Sequence, residues 1–205
     1  MPEERSRTLE RATPRQAAGG TRIYQLKVTL SGSRPPIWRR LQVRGDVTLG
    51  QLHAILQVLL GWKDRHLHLF ASGRTVYRLP LPDLGFPSHD ERKVTLAQVL
   101  PREKERLRYE YDFRDGWELV LVVEKILPPG TEPAGPTCLG GKRNGPPEEI
   151  GGIVGYERLL AARQKPPRLD RHSPTELADP LGEGFDPEAF DPEEINRELA
   201  GLPRL

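Results

Sequence analysis

The chain has 205 residues, 36% of them hydrophobic, with 31 Lys and Arg against 29 Asp and Glu for a net charge of +2, a balance that excludes nucleic-acid binding by bulk charge and leaves only local basic clustering. The lone cysteine, Cys138, excludes an intramolecular disulfide framework and an all-cysteine structural zinc site. Neither a signal-peptide core nor a membrane-length apolar run occurs, so a cytoplasmic protein with one ordinary core is expected.

Residues 1–21 carry Arg5, Arg7, Arg11 and Arg15 among small polar residues with hardly any large apolar side chain, and read as a disordered tail. Its arginines suit RNA or an acidic partner, but a solvated extension is the simpler reading. From Tyr24 the chain alternates, with Tyr24, Leu26, Val28 and Leu30 on one face, which predicts a half-buried strand. "SGSRPP" supplies a turn, and "IWRRLQV" a second strand with Ile37, Leu41 and Val43 inward. Thr48 and Gln51 form the spacing of a capping box ahead of Leu49, Leu52, Ile55, Leu56, Leu59 and Leu60, predicting a helix that stops at Gly61.

Short strands are expected in "HLHLFASG" and "TVYRL", then one or two helical turns in "TLAQVL". "RLRYEYDFRDGWELVLVVEKIL" alternates through Leu107, Tyr109, Tyr111 and Phe113, turns near Asp115 and Gly116, and alternates again, the pattern of a hairpin. After Leu127 prolines and glycines concentrate, with helices expected at Val154 to Arg163 and at Pro192 to Leu199 behind Asp191. The sum is an α+β class: a mainly antiparallel sheet with a helix packed on one face, residues 22–205 forming one domain in which 128–205 is a loop-rich helical extension packed on the rest.

"GKRNGPPEEIGG", residues 141–152, invites comparison with a phosphate loop, since Gly140 and Gly145 have the required separation. Pro146 and Pro147 follow, however, and proline has no amide hydrogen to give to phosphate. The adjacent Glu148 and Glu149 would also repel an anion. A rigid turn is the better reading, with a direct ligand role as the alternative.

His66 and His68 alternate in a predicted strand and would share one face, where a divalent metal could join them if Asp112, Asp115, Glu148, Glu149 or Cys138 converged. Hydrogen-bonded imidazoles on a polar sheet face are the simpler alternative, so no cofactor is assigned. Trp117 sits at the hairpin rim, either as a ligand platform or as a core anchor, and Tyr156 lies on the helix after the acidic segment. His66, His68, Asp112, Asp115, Trp117, Glu148, Glu149 and Tyr156 together outline a candidate cleft for a ligand or partner. Arg34, Trp38, Arg39, Arg40 and Arg44 outline a candidate basic patch, weighed against arginines paired to Glu110, Glu118 or Glu124 across the sheet.

Five ordered segments, "PPIWRRLQV", "TLGQLHAILQVLLGWKDRHLHLF", "YEYDFRDGWE", "PPEEIGGIVGY" and "FDPEAFDPEEIN", are similar to the plasmid pRiA4b ORF-3-like family over about Tyr24 to Leu199. The resemblance implies a setting in bacterial plasmids, mobile elements and chromosomes, and no established reaction. Relatives often carry cysteines flanking the PPE segment where this chain has Gly145 and Ile150, so a metal site built on them would be missing or weakened. A resolvase-like chemistry, implied by labels on some members, finds only Ser31 and Ser33 in a predicted turn beside Arg34. The expectation is therefore a non-enzymatic binding or adaptor protein with a protein, nucleic-acid or small-ligand partner. The alternatives are a metal-assisted hydrolase or nuclease and a non-specific nucleic-acid binder.

Overall fold

The computed structural model describes residues 20–80, 87–131, 135–164, 181–182 and 184–203; the tail expected at 1–21 lies outside them apart from its last two residues. Strands β1 (Ile23–Leu30) and β2 (Trp38–Arg44) pair antiparallel with Leu26 opposite Leu41. Helix α1 (Leu49–Leu60) starts at the Thr48–Gln51 capping box, both reciprocal bonds being made, and stops at Gly61. There follow β3 (His68–Ser72), β4 (Thr75–Arg78), the short β5 (His89–Asp90) and a single 3-10 turn at Glu91–Lys93. Helix α2 (Leu96–Val99), the hairpin strands β6 (Arg106–Tyr111) and β7 (Trp117–Leu127), β8 (Thr137–Lys142), α3 (Gly152–Gln164) and α4 (Pro192–Ala200) complete the described elements.

The strands make one eight-stranded sheet in the order β5-β4-β3-β6-β7-β1-β2-β8, antiparallel throughout except for the β4–β5 pair. This is the expected α+β architecture. The alternation of β1, β6 and β7 turns Tyr24, Leu26, Leu107, Tyr109, Leu119 and Leu121 inward, where they share the core with Leu52, Ile55, Leu56 and Leu59 of α1. Each buried leucine contributes about 1.5–3 kcal/mol by leaving water. The other face of the sheet carries charge pairs such as Arg40–Glu124 and Arg108–Glu118. Among the described residues no helix is long and apolar enough to cross a membrane.

Three differences from the sequence expectation have local causes. Strand β3 begins at His68, so His66 lies in the preceding loop and strand alternation does not apply to it. Phe113 belongs to the β6–β7 turn and is 44% exposed, because Asp112 takes a positive φ and receives the backbone amides of Arg114 and Asp115 on its carboxylate. Strand β8 was not expected, since its Gly140 and Gly141 carry no strand propensity. Its formation rests on pairing with β2, and on Asn196 of α4, whose side chain accepts from the Cys138 amide at 2.7 Å and donates to the Cys138 carbonyl at 3.0 Å.

Candidate functional site

His53 and Gln57 lie four residues apart on the buried side of α1, an interruption in an otherwise apolar stripe. Both reach the Tyr109 hydroxyl on β6: Gln57 donates to it at 2.9 Å, and His53 Nδ1 lies 2.8 Å from it. The Asp64 carboxylate, 2.9 Å from His53 Nε2, can only accept, so Nε2 donates to it and Nδ1 accepts the Tyr109 hydroxyl proton. The Asp64 amide in turn donates to Gln57 Oε1 at 2.8 Å, closing a ring of four groups. The tautomer follows from this wiring.

His68, at the start of β3, stacks on His53 with ring centroids 3.5 Å apart and planes within 5°. Its Nε2 is 3.0 Å from both oxygens of Glu91, whose side chain is buried. Burial, and then the charge of His68, hold the His53 imidazole below its ordinary value. Over these groups opens a cleft of about 670 Å³. The buried His53, His68 and Glu91 and the more exposed Asp64 form its polar floor, and Leu67, Leu79, Phe113, Arg65 and Arg92 also line it.

The acidic segment lies beside this cleft and holds its wall. Trp62 Nε1 donates to the Pro146 carbonyl at 3.0 Å, and the Lys63 amide donates to Glu148 Oε2 at 3.0 Å. Tyr111 gives its hydroxyl proton to Glu148 Oε1 at 2.5 Å while accepting from the Arg65 amide at 2.9 Å. Burial, reinforced by the Glu148 bond, raises the Tyr111 hydroxyl above its ordinary value. Residues 62–65, and hence Asp64, are thus pinned from the side of Glu148. Two glycines make the close approach geometrically necessary. A Cβ on Gly145 would stand 2.0 Å from the Leu60 carbonyl oxygen, and one on Gly152, at φ +63°, 2.0 Å from that of Asp115.

Of the eight expected cleft residues the structure brings His66, Asp112 and Glu149 together, while Asp115 and Glu148 bond to neighbouring groups. His66 Nε2 lies 3.5 Å from Glu149 and 3.6 Å from Asp112; Asp115 accepts the Gly151 amide at 3.0 Å; Glu148 makes the bonds above. Both His66 and His68 line the cleft, but His66 faces Asp112 and Glu149 while His68 turns to Glu91 and His53, so the two imidazoles do not form the pair that strand alternation predicts. Trp117 and Tyr156 are each 1% exposed and belong to the core, Trp117 against Trp62 and Tyr156 against Phe185.

The expected basic patch divides between two sides of the sheet. Trp38, Arg40 and Arg44 are on its open face, where Arg40 is paired to Glu124 and Arg44 to Asp46. Arg39 is on the core face, 2% exposed, donating to the carbonyls of Leu59, Trp38 and Lys142. That position follows from the same alternation that buries Ile37, Leu41 and Val43, and burial lowers the Arg39 guanidinium to about 10. Arg34 is exposed in the β1–β2 turn.

A family model described as plasmid pRiA4b ORF-3-like protein matches residues 22–194. The chain belongs to the plasmid pRiA4b ORF-3-like family. It is 36% identical over 155 residues to the uncharacterized protein y4hQ of Sinorhizobium fredii, covering 75% of this chain and 78% of that one. It also resembles the crystal structure of a protein of unknown function, MM3350, from Methanosarcina mazei, with a TM-score of 0.73 and 32% identity over 85% of this chain and 97% of that one.

Within this family fold the floor of the cleft joins helix, turn and strand through side-chain hydrogen bonds. His53, Asp64 and Glu91 are absent from the sequence-derived candidates. The readable signal was the pair His53 and Gln57 inside the leucine stripe of α1; Asp64 and Glu91 sit in turns and carry no pattern of their own. Chemically the floor offers imidazole nitrogens and carboxylate oxygens to a polar ligand. One ligand atom from each of His53, Asp64 and His68 lies within 4.8 Å of the others, close enough to share a cation.

Proposed function

We propose that this protein is a ligand-binding module whose occupant is a small molecule held in the cleft. Its apolar part would lie against Leu67, Leu79 and Phe113, and its polar part against His53, Asp64 and His68. One observation carries the reading: three of the five large hydrophobic side chains exposed among the described residues, Leu67 at 50%, Leu79 at 40% and Phe113 at 44%, line this one cleft. Exposed apolar surface collected in a concavity, beside polar groups fixed by their own hydrogen bonds, is the make-up of a small-molecule site. The volume of about 670 Å³ falls inside the range of roughly 300–1,000 Å³ common to such sites.

The acidic segment supports the site in this account, because Glu148 grips the amide of Lys63 and, through Tyr111, that of Arg65 on either side of Asp64. The test is a thermal-stabilisation screen of a metabolite-like library, repeated on a Leu67→Ser/Phe113→Ser variant. Both positions are exposed, so the variant keeps its fold. A compound present at 100 times its Kd raises stability by about 2.7 kcal/mol. Compounds that stabilise the wild type and lose that effect in the variant support the reading; equal stabilisation of both proteins, or none of either, overturns it.

A further inference from the structure

We propose that the floor of the cleft is a divalent-metal site, with His53, Asp64 and His68 as ligands and Glu91 and Tyr109 as the groups that orient the two imidazoles. The inference builds on the cleft reading and names a cation as a resident of that site.

Three features on the floor point the same way. First, the three donors are mutually close, with one ligand atom from each within 4.8 Å of the others. Two imidazoles and a carboxylate are the donor set of three-ligand catalytic-type zinc sites, which leave a further position for water or a ligand. Imidazole donors favour zinc and its first-row neighbours over magnesium or calcium.

Second, each imidazole is already held from behind. Metal-bound histidines characteristically give their other ring nitrogen to a carboxylate or another polar group, which fixes ring orientation. Here His68 Nε2 is held by both oxygens of Glu91 at 3.0 Å, which leaves Nδ1 as the nitrogen to serve a metal. His53 Nδ1 is held by the Tyr109 hydroxyl at 2.8 Å, which leaves Nε2 as its ligand atom, 2.9 Å from Asp64. A metal at Nε2 would require the other tautomer: the Nε2 proton moves to Nδ1, and the Tyr109 oxygen then accepts from both Nδ1 and Gln57.

Third, the arrangement brings two carboxylates onto two buried, face-to-face imidazoles. Glu91 is 1% exposed and meets His68 inside the fold, and the buried Arg78 guanidinium lines the same cleft. A divalent cation placed among these groups would take the exposed Asp64 carboxylate and the two imidazoles as its donors. The Arg92 guanidinium at the rim is already engaged by Asp90 at 2.9 Å.

The site differs from the His66 and His68 pair suggested by sequence spacing. His66 faces Asp112 and Glu149 instead, so variants at the two places separate the alternatives. The experiment is calorimetric titration of the chelator-stripped full chain with zinc chloride. Elemental analysis after dialysis gives the stoichiometry, and cobalt(II) absorption reports the ligand field.

The expected result is one zinc per chain, bound at least tenfold more weakly by Asp64→Asn, whose side chain is 64% exposed and whose replacement spares the core. Glu91→Gln weakens binding about 10- to 100-fold through His68, the usual effect of losing an orienting partner. His66→Gln leaves the affinity unchanged, and circular dichroism confirms that each variant is folded. Absence of stoichiometric zinc, unchanged affinity in Asp64→Asn, or loss of binding in His66→Gln overturns the proposal. The compound screen, run beside the titration, separates the two readings: stabilising compounds without stoichiometric zinc remove the metal alone, and zinc binding without any stabilising compound removes the small-molecule reading alone.

Discussion

Replacing Glu148 with alanine tests how the acidic segment supports the cleft. The substitution removes two acceptors: Oε1, bonded to the Tyr111 hydroxyl at 2.5 Å, and Oε2, bonded to the Lys63 amide at 3.0 Å. A hydrogen bond to a charged group is worth about 1.5–3 kcal/mol where it is sheltered, as at Tyr111, while the solvent-facing bond to Lys63 adds about 0.5–1 kcal/mol. The expected loss is about 2–4 kcal/mol, read as a lowered urea midpoint with an unchanged slope. In heat it corresponds to a Tm lower by roughly 5–15 °C for a chain of this size. Combining it with Tyr111→Phe closes a double-mutant cycle, and the coupling should be about 1–3 kcal/mol. A loss under about 0.5 kcal/mol, or zero coupling, would refute the reasoning, because the loop would then rest on the sheet without gripping it.

Three further outcomes follow from the geometry. Gly145→Ala places a methyl 2.0 Å from the Leu60 carbonyl and should cost about 1–3 kcal/mol or more by forcing the loop off the end of α1, measured by urea unfolding. Asn196→Ala removes both bonds to the Cys138 backbone and should cost about 1–3 kcal/mol, with faster amide exchange along β8 as its local signature. The hydrogen bond from Arg40 holds the Glu124 carboxyl below its ordinary value. Its stabilising contribution is therefore full above the unfolded value of about 4.3 and disappears as pH falls below it. Stability measured from pH 6 to pH 3 should fall less steeply in Glu124→Gln than in the wild type.

The fold was legible wherever a local period governed the chain. The alternation in β1, β6 and β7 and the leucine stripe of α1 follow from one face meeting the core, and the capping boxes at Thr48 and Thr95 need only neighbours three residues away. Strand β8 was hidden because its stability comes from β2 and Asn196, far away in the chain. Arg39 shows the same alternation rule reaching further than residue type: its position placed it inward although its charge suggested the surface. In the site, the proximity of the acidic segment to Tyr111 and His66 depends on long-range folding of residues 143–152, which no spacing encodes. The ring joining His53, Gln57, Asp64 and Tyr109 mixes helix, turn and strand; only its two helical members left a mark in the sequence, as polar residues in an apolar face.

The most direct test of the account is to map, by NMR on isotope-labelled protein, where a stabilising compound from the screen binds. Chemical-shift changes should centre on the imidazoles of His53 and His68, the methyls of Leu67 and Leu79 and the ring of Phe113, with the signals of Glu148 and Trp62 little changed. Changes centred instead on the groove lined by Val43, Thr137 and Leu202, or on Glu148 and Glu149 themselves, would contradict it.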